Sequence, residues 1–110
     1  MPGIAHLAPL TVQQNKIVGY LLDLHHPQGG SKARFFTAFG FDQQDWPIFA
    51  SALQQHGMTQ QLQSETPTAF GPTYEVACSI VTPDGRNPCI ISVWIAEPST
   101  HPRLVTAYPA

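Results

Sequence analysis

The chain has 110 residues, a formal net charge of -2 and only 11% charged side chains, against 43% hydrophobic. That length allows one domain, 1–110, with a single core that folding can build without staples. Five Lys and Arg make no basic stripe, which argues against nonspecific nucleic-acid binding.

Ten glutamines supply polarity that charge does not. With few charges to repel a copy or a partner, homo-oligomerisation or a cognate protein partner is expected. There is no basic-plus-apolar leader, and no apolar run approaches the ~20 residues of a membrane span. Two cysteines, Cys78 and Cys89, fall in predicted strands without a CxxC spacing. They read as buried free thiols of a reduced, cytoplasmic protein.

The first ten residues contain Pro2, Gly3 and Pro9 and read as an arm. Thr11 and Gln14 have capping-box spacing. Ile17, Tyr20, Leu21 and Leu24 then recur at i, i+3, i+4 and i+7, which predicts a helix over 12–24 with those residues facing the core. Pro27, Gly29 and Gly30 stop it. Ser31 is placed to cap a second helix, 31–39, that buries Phe35, Phe36 and Phe39 and ends at Gly40. Pro47 belongs in a first turn, so a third helix starts at Asp45, runs to His56 and stops at Gly57.

The period then changes to two. A first strand is expected over 58–66. A hairpin follows: Thr73 to Thr82, the Asp84-Gly85 turn signal, then Pro88 to Ala96. With a two-residue loop, Ile80 faces Cys89 and Cys78 faces Ile91, leaving the cysteines badly placed for a disulfide. In the last strand, Arg103 to Tyr108, alternation puts Arg103, Val105 and Ala107 on one face and Leu104, Thr106 and Tyr108 on the other. The expected fold is α+β, with three N-terminal helices on one face of a C-terminal four-stranded antiparallel sheet.

Chemistry-bearing residues gather in two places. Between the first helices stand His25, His26, Gly29, Gly30, Ser31, Lys32 and Arg34. The backbone N–H groups beside Gly30 and Ser31, with Lys32 and Arg34, suit a phosphate or carboxylate. The same residues equally suit a plain connecting loop. The segment is no Walker loop, because GxxxxGK[ST] is absent and no strand precedes it. The second group is Arg103, Thr106 and Tyr108 on the last strand. No HxxxH, HExxH or GxSxG occurs, so neither a metal site nor a serine nucleophile is indicated. No cofactor is expected.

The runs Tyr20-Leu21-Leu22, His26-Pro27, Gly30-x-Lys32-Ala33-Arg34-Phe35-Phe36, Gly40-Phe41 and Trp46 resemble an uncharacterised bacterial family of unknown function. Gly85-Arg86, Val93-Trp94-Ile95 and Pro102-Arg103-Leu104-Val105-Thr106-Ala107-Tyr108-Pro109 fit the same pattern. More loosely, the closing Thr106-Ala107-Tyr108-Pro109 is similar to endings in the barnase–EndoU–colicin–RelE group of toxin ribonucleases. That resemblance implies metal-independent RNA cleavage. His25 or His26 would be the base, Lys32 and Arg103 would stabilise charge on the phosphorane, and Tyr108 or the second histidine would supply the acid to the leaving oxygen, with Thr106 a further polar group of the last strand. Two readings therefore stand: a small binding or interaction module, and a toxin-like ribonuclease with RNA as partner.

Overall fold

The computed structural model describes residues 3–110. Three helices precede four strands: α1 (Gln14–Lys16), α2 (Gly30–Ala38), α3 (Trp46–Thr59), β1 (Gln61–Thr66), β2 (Thr73–Ser79), β3 (Cys89–Ile95) and β4 (Arg103–Pro109). The strands form one antiparallel sheet in the order β1-β2-β3-β4. The expected α+β architecture is the observed one.

One sheet face is the core face. Tyr74, Val76, Ile90, Trp94, Leu104 and Ala107 are buried on it against Phe36, Phe49 and Leu53 of the helices. The rings of Phe36 and Phe41 lie 4.8 Å and 4.4 Å from that of Phe49, offset and tilted as aromatic quadrupoles prefer. Gly57 does not end α3. A Cβ there would come within 2.8 Å of Trp94 and of Leu10, so its absence lets the helix lie close on the sheet.

α1 departs from the expected long helix. After Lys16 the chain widens into a π-helical turn, Ile17–Leu21, and the Leu22 N–H donates to the Ile17 carbonyl at 2.8 Å. The wider repeat buries Ile17, Leu21 and Leu22 and leaves Tyr20 half-buried at the margin of the core. Leu24 is exposed rather than core. Thr11 does not cap a helix. It bridges to Arg103 and covers the start of the β4 edge. α2 begins one residue before Ser31, with Gly29 at its N-cap, while Gly40 has the expected left-handed backbone at φ 104°. Asp42 caps a short 3-10 turn, its carboxylate accepting from the Gln44 N–H, and Asp45 leads into α3.

The hairpin register is one residue from the expected one. Cys78 lies opposite Ile90 and Ser79 opposite Cys89. The loop is longer than Asp84-Gly85 because Thr82, Asp84 and Asn87 bind one another across it. With the offset cut to one residue, the Cα atoms of Cys78 and Cys89 are 4.1 Å apart and the two side chains form a disulfide. They are not the buried free thiols expected, and Cys78 is exposed.

His56 is the buried exception in an apolar core. A carbonyl can only accept, so Nε2–H donates to the Cys78 carbonyl at 2.9 Å. Nδ1 then accepts from the Ser92 hydroxyl at 2.8 Å, and Ser92 Oγ accepts from Trp94 Nε1–H at 2.9 Å. Burial pushes the His56 pKa below the ordinary 6.5, outweighing the bonds to the Cys78 and Ile90 carbonyls that favour the charged ring. Above about pH 6.5 both folded and unfolded states hold this ring neutral. Below it the unfolded chain takes a proton that the folded chain refuses, so stability falls with acidification until the folded pKa is passed. The urea midpoint should drop between pH 7.5 and 5.5, and His56→Gln should flatten that drop.

Candidate functional site

The π turn in α1 and the edge strand β4 together form one polar cleft. Tyr20, half-buried at the margin of the core, brings its hydroxyl to 3.4 Å from Thr106 Oγ1. The ammonium groups of Lys16 and Lys32 each stand 5.5 Å from the centre of its ring, on the electron-rich face that attracts cations. The His26 ring meets the Tyr20 ring edge-on at 5.0 Å. Lys16, Tyr20, His26, Gln28, Val105 and Thr106 line an open cavity of about 470 Å³. Among the described residues neither lysine is within ion-pair distance of a carboxylate.

Electrostatics act on Tyr20 most of all. Burial, the largest single influence, pushes its hydroxyl up. The Thr106 and Lys32 hydrogen bonds and the charges of Lys32 and Lys16 together prevail, and the pKa lies below the ordinary 10.0. A phenol in that state is a stronger acid than a free tyrosine, held where an anion would sit.

His26 is oriented by the backbone. Its Nδ1 accepts the N–H groups of Gln28 at 3.0 Å and Gly29 at 2.9 Å. The neutral ring therefore carries its proton on Nε2, and that nitrogen presents a donor. His26 is a hydrogen-bond donor in this cleft, not an open acceptor. The Gly30 N–H donates to the His26 carbonyl at 3.0 Å, and Gly29 and Gly30 are buried. The start of α2 is thus partly satisfied by its own chain. Ser31 and Arg34 are exposed, and His25 is exposed on the preceding turn, its N–H bonded to Asp23. Of the first sequence group, His26 and Lys32 reach the cleft.

On β4 a bulge changes the expected faces. Val93 pairs with Thr106 but the next residue, Trp94, pairs with Leu104, so Val105 is skipped. Leu104 and Ala107 are both buried on the core face. Arg103, Thr106 and Tyr108 therefore share the outer face, whereas simple alternation separates Arg103 from the other two. Arg103 Nε donates to Glu97 Oε1 at 2.8 Å. Tyr108 lies one step from Thr106, roughly 7 Å along the strand, and does not line the cavity.

Strand pairing orders the rest of that outer face in rows. Thr66, Thr73, Ile95 and Arg103 form one. Ser64, Glu75, Val93 and Thr106 form the next, and Gln61, Ala77, Ile91 and Tyr108 the third. The residues that sequence alone left out of the site are Tyr20, Lys16 and Gln28. Lys16 is four residues before Tyr20, a helical-neighbour spacing, and was the available signal.

Among the described residues no three His, Cys, Asp or Glu side chains are grouped to hold a metal ion. No helix among them is long and apolar enough to cross a membrane. A family model described as a domain of unknown function, DUF6883, matches residues 4–110. No curated protein matches the sequence at a significant level. One chain from a contact-dependent growth inhibition toxin–immunity protein complex of Klebsiella pneumoniae 342 has the same fold, with a TM-score of 0.71. The match covers 90% of this chain and 98% of that one, at 13% sequence identity.

Proposed function

The chain belongs to the DUF6883 family of domains of unknown function, and from the geometry of its own cleft we propose that it is a toxin-like, metal-independent ribonuclease. The observation that carries this reading is the convergence of Lys16, Lys32, His26 and Thr106 on Tyr20 in one open cleft. Two unpaired ammonium groups beside an acidified phenol suit a phosphodiester and its transition state.

In the reaction, the ribose 2′-oxygen loses its proton to a base and bonds to phosphorus. The bond from phosphorus to the 5′-oxygen breaks. Tyr20 donates its hydroxyl proton to that leaving oxygen. The products are a 2′,3′-cyclic phosphate and a 5′-hydroxyl end. Lys16 and Lys32 balance charge on the non-bridging oxygens, and His26 Nε2–H donates to one of them. Thr106 positions the phenol.

The test is incubation of the purified chain with single-stranded RNA in EDTA. Cleavage with cyclic-phosphate ends is expected. Either no cleavage or strict dependence on a divalent cation would sink the reading. Lys32→Gln should raise KM roughly tenfold, since removing one phosphate contact weakens binding more as salt is lowered. His26→Ala should lower kcat about 100-fold, as loss of one donor to the transition state does at the low end.

An interaction module is the second reading, favoured by a separate observation. Ile48 on α3 and Val81 in the hairpin loop are 55% and 66% exposed, and with Ala52 and Pro83 they line an apolar depression of about 540 Å³. Exposed apolar patches mark protein contacts. The structural neighbour comes from a toxin–immunity protein complex, and a bacterial toxin held by a cognate protein in the cytoplasm reconciles the two readings.

A further inference from the structure

The cleft described above lacks a base. His26 cannot serve, because Nδ1 is occupied by two backbone N–H groups and Nε2 carries the proton. Lys16 and Lys32 are the phosphate-holding cations. On the sequence alone no carboxylate was assigned to the reaction. Strand pairing, however, puts Glu75 in the same cross-strand row as Thr106, with only Val93 between them.

We infer that Glu75 is the general base that takes the ribose 2′-OH proton; the inference rests on the ribonuclease reading. Adjacent strands are about 4.8 Å apart, so the Glu75 and Thr106 backbones are about 10 Å apart. In-line displacement needs base and acid on opposite sides of phosphorus, each about 2.8 Å from its oxygen. A carboxylate and a phenol reaching toward each other from that separation can span a phosphodiester. Glu75 does not itself line the cavity; it stands two strands inward from Thr106 on the same sheet face, and a phosphodiester lying across Val93 would meet both it and the Tyr20–Thr106 pair.

The other carboxylates are engaged or elsewhere. Glu97 binds Arg103, Asp84 binds Arg86, and Asp42 accepts the Gln44 N–H. Asp23 accepts the His25 N–H. Glu65 pairs opposite the core-facing Tyr74 and sits outside this face, and Asp45 is exposed at the N-cap of α3. The Glu75 side chain, half-buried, has neither a hydrogen bond nor an ion pair among the described residues. Its neighbours across the strands are Ser64 and Val93. The charged or titratable groups sharing its face are Arg103 and Tyr108, both from β4. A carboxylate without a partner in the chain is free to accept a hydrogen bond from a substrate hydroxyl.

The proton balance closes. Glu75 gains the 2′-OH proton as the 2′-oxygen bonds to phosphorus, and Tyr20 loses its own to the leaving 5′-oxygen. Solvent restores both.

The experiment is steady-state cleavage of a single-stranded RNA across pH by the full chain and by Glu75→Gln, with Glu75→Asp alongside. Gln keeps size and removes basicity, and a thermal melt checks the fold. Binding of a 2′-deoxy oligonucleotide reports the site independently of chemistry. The expected result is a fall in kcat of about 100-fold for Glu75→Gln, unchanged affinity for the deoxy oligonucleotide, and partial activity in Glu75→Asp. Wild-type kcat in Glu75→Gln, or a change confined to KM, overturns the assignment and leaves the ribonuclease reading standing. Absence of cleavage by the wild type overturns both.

Discussion

Tyr20→Phe should lower kcat for RNA cleavage by about 100- to 1,000-fold, with KM nearly unchanged. The substitution removes one oxygen and leaves the ring that Lys16, Lys32 and His26 surround. General acid catalysis by a positioned side chain contributes roughly that factor. Packing should survive, because the lost hydrogen bond to Thr106 is long at 3.4 Å and partly exposed. The pH profile gives a second readout. Tyr20 acts in its protonated form, and its pKa lies below 10.0. Activity should therefore fall as pH rises through that lowered value, and Tyr20→Phe should abolish the alkaline limb along with the rate. Thr106→Val and Lys32→Gln each remove a group that lowers this pKa, so both should move the alkaline limb upward. A Tyr20→Phe enzyme with full activity would end the assignment of the cleft.

The largest effect on stability is expected at His56. His56→Ala should destabilise the fold by about 3 kcal/mol, combining a cavity with buried polar groups left without partners. The Cys78 carbonyl loses its donor and the Ser92 hydroxyl its acceptor. In a domain of this size such a loss corresponds to roughly 12–24 °C in Tm. Ser92→Ala should be destabilising alone and cost less in the His56→Ala background, because the two side chains form one network with Trp94. Additive effects in a double-mutant cycle would refute the network. His56 is far from exposed solvent and has no free lone pair, so neither variant should alter the chemistry of the cleft except through folding.

The two predictions come from different kinds of information. The fold was largely legible in the chain. Period-two alternation from Thr73 to Thr82 and again from Pro88 to Ala96 announced the hairpin, and Ile17, Leu21 and Phe36 announced the helical side of the core. Hydrophobic periodicity is local, and burial follows it. Gly40 needed only a short-range argument, since a helix stop with a left-handed residue favours glycine. His26 and Lys32 also stood out, because two imidazoles and cations beside glycines are uncommon in so weakly charged a chain.

What sequence alone determined is therefore the element types, their order and most of the core. Tertiary structure decided which residues meet. Tyr20 looked like a core residue at helical spacing, and only the wider π turn rotates it toward Thr106, 86 positions later. Arg103 looked opposed to Thr106, and only the bulge at Val105 places them on one face. Cys78 and Cys89 looked unbridged until the longer loop reset the hairpin register by one residue. Glu75 looked like any polar residue of an alternating strand until the sheet aligned it with Thr106. The bulge of β4 and the hairpin register are shifts of about one residue, and in strands one residue reverses the face. Such shifts are set by hydrogen bonds and packing between distant segments, which local periodicity does not encode.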